Sequence, residues 1–140
     1  MSELSSFEMS NFLVQELVPP LMYKRFGDAA IRYIDPRLIA NLNSVRAWVA
    51  GPMTINNWHR GGPRVASGIR YPGSPSHSNF SAHSFGMAFD AVGFDVARVR
   101  KAIISSELVL PYPCRVELKV GWLHLDVMNY RHEHVETFNG

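Results

Sequence analysis

Residues 58–84 are crowded with Gly, Pro, Ser, His and Asn, and read as one long loop in the middle of a 140-residue chain. Backbone without regular pairing is costly to keep ordered, so a loop of this length inside a small domain is usually functional. The regular elements are confined to the segments on either side of it.

Ahead of the loop, Phe12, Leu13, Leu17 and Leu21 recur at helical spacing, broken by Pro19-Pro20. This predicts two helices in the first third, with a stop at Gly27. A better-marked helix spans 36–49: Asp35 caps it, Pro36 suits its first turn, and Leu38, Leu42, Val45 and Val49 form one apolar stripe before Gly51. Residues 52–57 read as a short strand. Beyond the loop, 86–92 reads as a buried strand and 95–106 as a capped helix with Val96, Val99, Ala102 and Ile103 inward. The final third resembles a hairpin, with 114–118 and 122–127 joined by a turn at 119–121. Helices precede strands, which predicts an α+β domain with helices packed on a small, mostly antiparallel sheet. The expected organisation is one domain over 1–140: a helical part over about 10–50, a core over about 52–128 and a short tail at 129–140.

Composition narrows the function classes. Hydrophobic residues at 46% against 19% charged argue for an ordered core. A net charge of +2, with basic residues only in singles and pairs such as Lys24-Arg25 and Arg100-Lys101, is too weak for a nucleic-acid or membrane surface. The one cysteine, Cys114, excludes an internal disulfide framework and a Cys-rich zinc finger, and is expected in the core. The first ten residues carry acids and serines where a secretory signal needs a basic start and an apolar run, so no export signal is expected. No uninterrupted apolar run approaches the ~18 residues of a membrane span.

The chemistry concentrates in Ser81-Ala82-His83-Ser84-Phe85-Gly86-Met87-Ala88-Phe89-Asp90. A catalytic zinc takes three N or O ligands from protein and keeps one position open. His83 and Asp90 are too far apart in sequence for one helical face, but a turn at Gly86 lets a loop histidine meet an aspartate on the next strand. Trp122-Leu123-His124-Leu125-Asp126 offers the third ligand, His124, with Trp122 and Asp126 on the same strand face. The competing reading is a buried structural hydrogen bond between His83 and Asp90, with His124 filling the core. Asp126 is either an orienting partner of a ligand or a solvated strand-end acid. His59, His77, His132 and His134 lack paired partners and are expected at the surface. Trp48, Trp58 and Trp122 are expected to pack, with Trp58 or Trp122 bordering a cleft.

These residues resemble the M15 metallopeptidases, which include D-alanyl-D-alanine carboxypeptidases, VanX-type dipeptidases, some phage endolysins and the hedgehog signalling domain. The SxHxxGxAxD signature is met by Ser81, His83, Gly86, Ala88 and Asp90, and the following WxH strand by Trp122 and His124. An SGxR element stands upstream as Ser67-Gly68-Ile69-Arg70. The resemblance covers about residues 41–129 and is nearest to short versions in tailed-phage genomes. It implies a hedgehog/D,D-peptidase-like fold, Zn2+ held by His83, Asp90 and His124, and substrate carboxylate or carbonyl groups held by Arg70 and Ser81. A guanidinium suits that task through paired hydrogen bonds to a carboxylate.

Many M15 enzymes carry a catalytic glutamate three residues before the last zinc histidine, where this chain has Gly121. Glu117, the nearby acid, is the candidate base, as hedgehog-like domains also carry a glutamate further upstream. The resemblance implies hydrolysis of stem peptides in peptidoglycan by a carboxypeptidase or endopeptidase. As a phage protein it would wait in the host cytoplasm for release by a holin, or ride in the virion. Two rivals are a virion structural or interaction protein that keeps the fold with little hydrolytic activity, and a cytoplasmic dipeptidase.

Overall fold

Pro19 and Pro20 carry no backbone N–H, so a helix can begin at Pro20 but cannot run through it. In the computed structural model, which describes residues 12–128 and 133–140, α1 (Pro20–Phe26) starts there, preceded only by a 3-10 turn at Val14–Glu16. Gly27, at φ +60°, ends α1 and opens a 3-10 run, Gly27–Tyr33. The two expected helices are thus one short helix between two tighter turns. The proline pair also takes the apolar quartet off a common face: Phe12 and Leu17 are buried, whereas Leu13 and Leu21 are 55% and 54% exposed.

Helix α2 (Pro36–Val49) has the expected span. Asp35 accepts a hydrogen bond from the Arg37 N–H at 2.9 Å, and Leu38, Leu42 and Val45 are buried. Helix α3 (Val96–Ile104) is capped by Asp95, which accepts from the Arg98 N–H, and buries Val99, Ala102 and Ile103. The strand expected over 52–57 is reduced to a single bridge between Thr54 and Val92. Its neighbours turn elsewhere, since the Asn56 N–H goes to Glu16 O and the Asn57 N–H to Arg64 O.

Four strands form one mixed sheet in the order β1-β3-β2-β4: β1 (Ala88–Ala91), β2 (Cys114–Leu118), β3 (Leu123–Asp126) and β4 (Val135–Asn139). β1 and β2 each pair antiparallel with β3, completing the expected hairpin. β4 departs from expectation. The described part of the supposed tail runs parallel to β2 along its whole length, from Cys114 opposite Val135 to Leu118 opposite Asn139. Its alternation of Val135, Thr137 with Glu136, Phe138 fits a strand lying between two unlike environments.

The sheet's two faces differ in kind. Phe89, Ala91, Cys114, Val116, Leu123 and Leu125 are completely buried in the main core with α2 and α3. Burial pushes the Cys114 thiol up to about 12, with the Asp126 charge adding to it, so this cysteine is the core residue expected. The opposite face carries Asp90, Arg115, Glu117, His124, Asp126 and Phe138. Among the described residues no helix is long and apolar enough to cross a membrane.

Gly86 joins the helical part to β1. It sits at φ +69°, its carbonyl accepts the Asp35 N–H at 2.9 Å, and a Cβ there would run into the Tyr33 carbonyl. Gly86→Ala therefore meets both a left-handed backbone and a backbone collision. It should lower stability by more than about 1 kcal/mol, read as a shifted urea midpoint with unchanged slope.

Candidate metal centre

Ser67, Gly68, Ile69 and Arg70 thread between three neighbours. The Ile69 N–H donates to Leu17 O at 3.0 Å, the Arg70 N–H to His83 O at 3.1 Å, and Ser67 O accepts the Asp90 N–H at 2.8 Å. Gly68 is required here because a Cβ would strike the Leu17 carbonyl. Freed of bulk, its own carbonyl lies 2.9 Å from His83 Nδ1. Ser81 caps the 3-10 turn Ala82–Phe85 by accepting the His83 N–H, so the imidazole projects from a braced backbone. Asp90 on β1 faces His124 on β3 in direct register.

The three expected ligands converge, with one donor atom from each of His83, Asp90 and His124 within 4.8 Å of the others. Asp90 Oδ2 is 3.3 Å from His83 Nε2, and Asp90 Oδ1 is 2.9 Å from His124 Nδ1. A carbonyl only accepts, so His83 Nδ1 must carry the hydrogen bonded to Gly68 O. Its other ring nitrogen, Nε2, faces Asp90 Oδ2, a contact that either a proton on Nε2 or a cation between the two satisfies.

His124 lies between two carboxylates, with Nε2 2.8 Å from Asp126 Oδ2. Burial pulls its pKa down, but the hydrogen bonds to Asp126 and Asp90 outweigh that and hold it up at about 9. For Asp90, burial pushes upward and loses to the hydrogen bonds from His124 and His83, which keep the carboxyl far below its usual range. Asp126 is fully buried and is also held low, against burial, by His124 and Arg115. It is an orienting partner rather than a solvated acid, and Arg115 grips it through Nε and Nη2 at 2.9 and 3.0 Å.

The donor set suits a divalent ion such as zinc: two imidazole nitrogens, each with its other nitrogen hydrogen-bonded, and one carboxylate. Tetrahedral coordination at ~2.1 Å separates ligand atoms by about 3.4 Å, so small side-chain movements bring this group to bonding distance. His134 takes no part, its Nε2 donating to Leu110 O at 3.0 Å. His59 and His77 are half-buried rather than at the surface, and His132 lies outside the described residues. This is the one such group of three among the described residues.

A cavity of about 330 Å³ opens over the three residues and is lined as well by Arg70, Ser81, Glu117 and Trp122. Every expected site residue is thus brought to one place. Arg70 is only partly free, because its Nε donates to Ala66 O at 2.8 Å while Nη2 lies 3.8 Å from Asp90 Oδ2. Continuing the β2–β3 register by one residue puts Glu117 beside His124. Trp122, 40% exposed, borders the cavity, whereas Trp58 packs inward with its indole N–H on Val18 O. Arg115 and Phe138 were not foreseen, because recognising them requires the pairing of β2 with β4. Comparison with known proteins brings no family, as no family model, curated protein or solved structure matches the chain.

Metal must displace the proton that His124 holds below about pH 9. Affinity should therefore rise with pH, by up to tenfold per unit below that value, and level off above it. Titration calorimetry in buffers of different ionisation enthalpy should find about one proton released per zinc at neutral pH. Zinc binding without proton release would contradict this.

Proposed function

We propose that this chain is a zinc-dependent peptidase of the M15 type, with a hedgehog/D,D-peptidase-like architecture, that hydrolyses amide bonds in peptidoglycan stem peptides. Its setting is a phage endolysin or a virion-borne enzyme that breaches the wall. The observation that carries this reading is the convergence of His83, Asp90 and His124, with one ligand atom from each within 4.8 Å of the others, at an open polar cavity. Two imidazoles and one carboxylate brought together in this way are a donor set that a divalent cation takes. The match of the surrounding residues to the M15 signature supports the same conclusion.

When bound, zinc supplies Lewis-acid polarisation of a carbonyl and an acidified water molecule. The chain's own residues supply binding and proton transfer. Arg70 lines the cavity with Nε on Ala66 O and Nη1 on Ser76 O, and its Nη2 is the nitrogen that can donate to a substrate carboxylate there. Ser81 accepts the His83 N–H as a cap and keeps its hydroxyl proton for a substrate oxygen. Glu117 lines the cavity with no hydrogen bond or ion pair among the described residues. It is the carboxylate available to accept a proton during attack and return it to the leaving amine. Asp90 and Asp126 are already engaged by histidines.

A second reading, a binding module that keeps the metal without turnover, is favoured by Gly121 standing where many relatives of this type carry their glutamate. Purified wall fragments separate the two. The peptidase should release new amino termini, lose activity to a chelator and regain it with zinc. His83→Ala should be inactive, and Glu117→Gln should lose about 10²–10⁴-fold in kcat with zinc content unchanged. A zinc-loaded wild-type chain that cuts no wall fragment would favour the binding module.

A further inference from the structure

We infer that Arg115, covered by Phe138 of the C-terminal strand, is a positioning residue for the metal centre, acting through Asp126 on His124. This rests on the metal-binding reading of His83, Asp90 and His124, but not on hydrolysis. His124 can offer Nδ1 to an ion only if its ring is held by the other nitrogen, and that nitrogen meets Asp126 Oδ2 at 2.8 Å. Asp126 would hold nothing if it were free to turn. Its Oδ1 accepts Arg115 Nε at 2.9 Å and the Met128 N–H at 3.1 Å, while its Oδ2 accepts Arg115 Nη2 at 3.0 Å as well as His124. The planar guanidinium therefore fixes both oxygens of the carboxylate and with them the plane of the imidazole.

Phe138 completes the arrangement. Its ring centroid is 4.4 Å from the Arg115 guanidinium carbon, and it meets the His124 ring nearly edge-on at 5.5 Å. One aromatic side chain thus covers both ends of the Arg115–Asp126–His124 chain and keeps water from competing for their hydrogen bonds. It arrives from β4, which contributes none of the three ligands. The chain's last strand, parallel to β2, is in this way part of the metal site.

Partners of this kind typically contribute 10–100-fold to metal affinity. The test measures zinc dissociation constants for the full chain by competition with a chromophoric chelator, together with the visible absorption of the cobalt(II) form. Arg115→Gln should weaken zinc about 10–100-fold and alter the cobalt spectrum, Arg115→Lys should recover part of the loss, and Phe138→Leu should weaken zinc while leaving every hydrogen bond of Asp126 available. Wild-type affinity and spectrum in a folded Arg115→Gln chain would overturn the inference. Should that variant fail to fold, wild-type affinity and spectrum in Phe138→Leu would overturn it instead. A wild-type chain that binds no zinc would remove the metal reading itself, whereas zinc binding without peptide hydrolysis would leave this inference standing and remove only the peptidase.

Discussion

The half-buried carboxylate of Asp90 is held ionised by the positive charge that faces it. Burying an unpaired carboxylate costs several kcal/mol or forces protonation, yet this one is flanked by His83, His124 and, at 3.8 Å, Arg70. The far nitrogens of both histidines are committed, to Gly68 O and to Asp126. Each ring is therefore aimed from behind. A proton on His124 satisfies part of the demand in the metal-free chain, and a divalent ion bound by the three residues would satisfy it more fully. The same electrostatic requirement thus stabilises the apo arrangement and prepares it for exchange of proton for metal.

That requirement is coupled to the core through β3. All four of its residues are buried although they alternate between Leu and a polar residue. Leu123 and Leu125 enter the main core, while His124 and Asp126 lie on the opposite, polar face, where His124 lines the cavity with Phe138 and His83. A one-residue slip would drive an imidazole and a carboxylate into the apolar layer and two leucines into the site. Apolar packing on one face and charge pairing on the other select the same register.

Local signals carried much of this. Asp35 and Asp95 as caps, the stripe of Leu38, Leu42 and Val45, and the hairpin around Lys119 were legible because each depends on near neighbours in the chain. The ligand trio was legible from residue type and motif resemblance, and its members do converge. What could not be read was pairing between distant segments. The apolar residues of 52–57 suggested a strand, but the buried Asn56 side chain spends its amide on Val18 O and its carbonyl on the Ser67 N–H. Five alternating residues at 135–139 are a weak signal until β2 is there to pair with them, so β4 reads as a tail from sequence, and Arg115 and Phe138 show their place only in the paired sheet.

The long irregular stretch acquires a physical reason from the same contacts. A regular strand offers its N–H and C=O groups to two neighbours in fixed alternation. Residues 67–70 must instead serve Leu17, Asp90, and both the backbone and the ring of His83, which lie in different directions. No ladder geometry meets all of these at once, and Gly68 is there because the Leu17 carbonyl leaves no room for a Cβ. Asn56 and Trp58 fasten the start of the stretch to Val18 O, and the Ser81 cap fastens its end. With both ends fixed and the middle hydrogen-bonded in three directions, irregular backbone becomes a rigid mount for one imidazole, a precision that neither a free loop nor a ladder strand would provide.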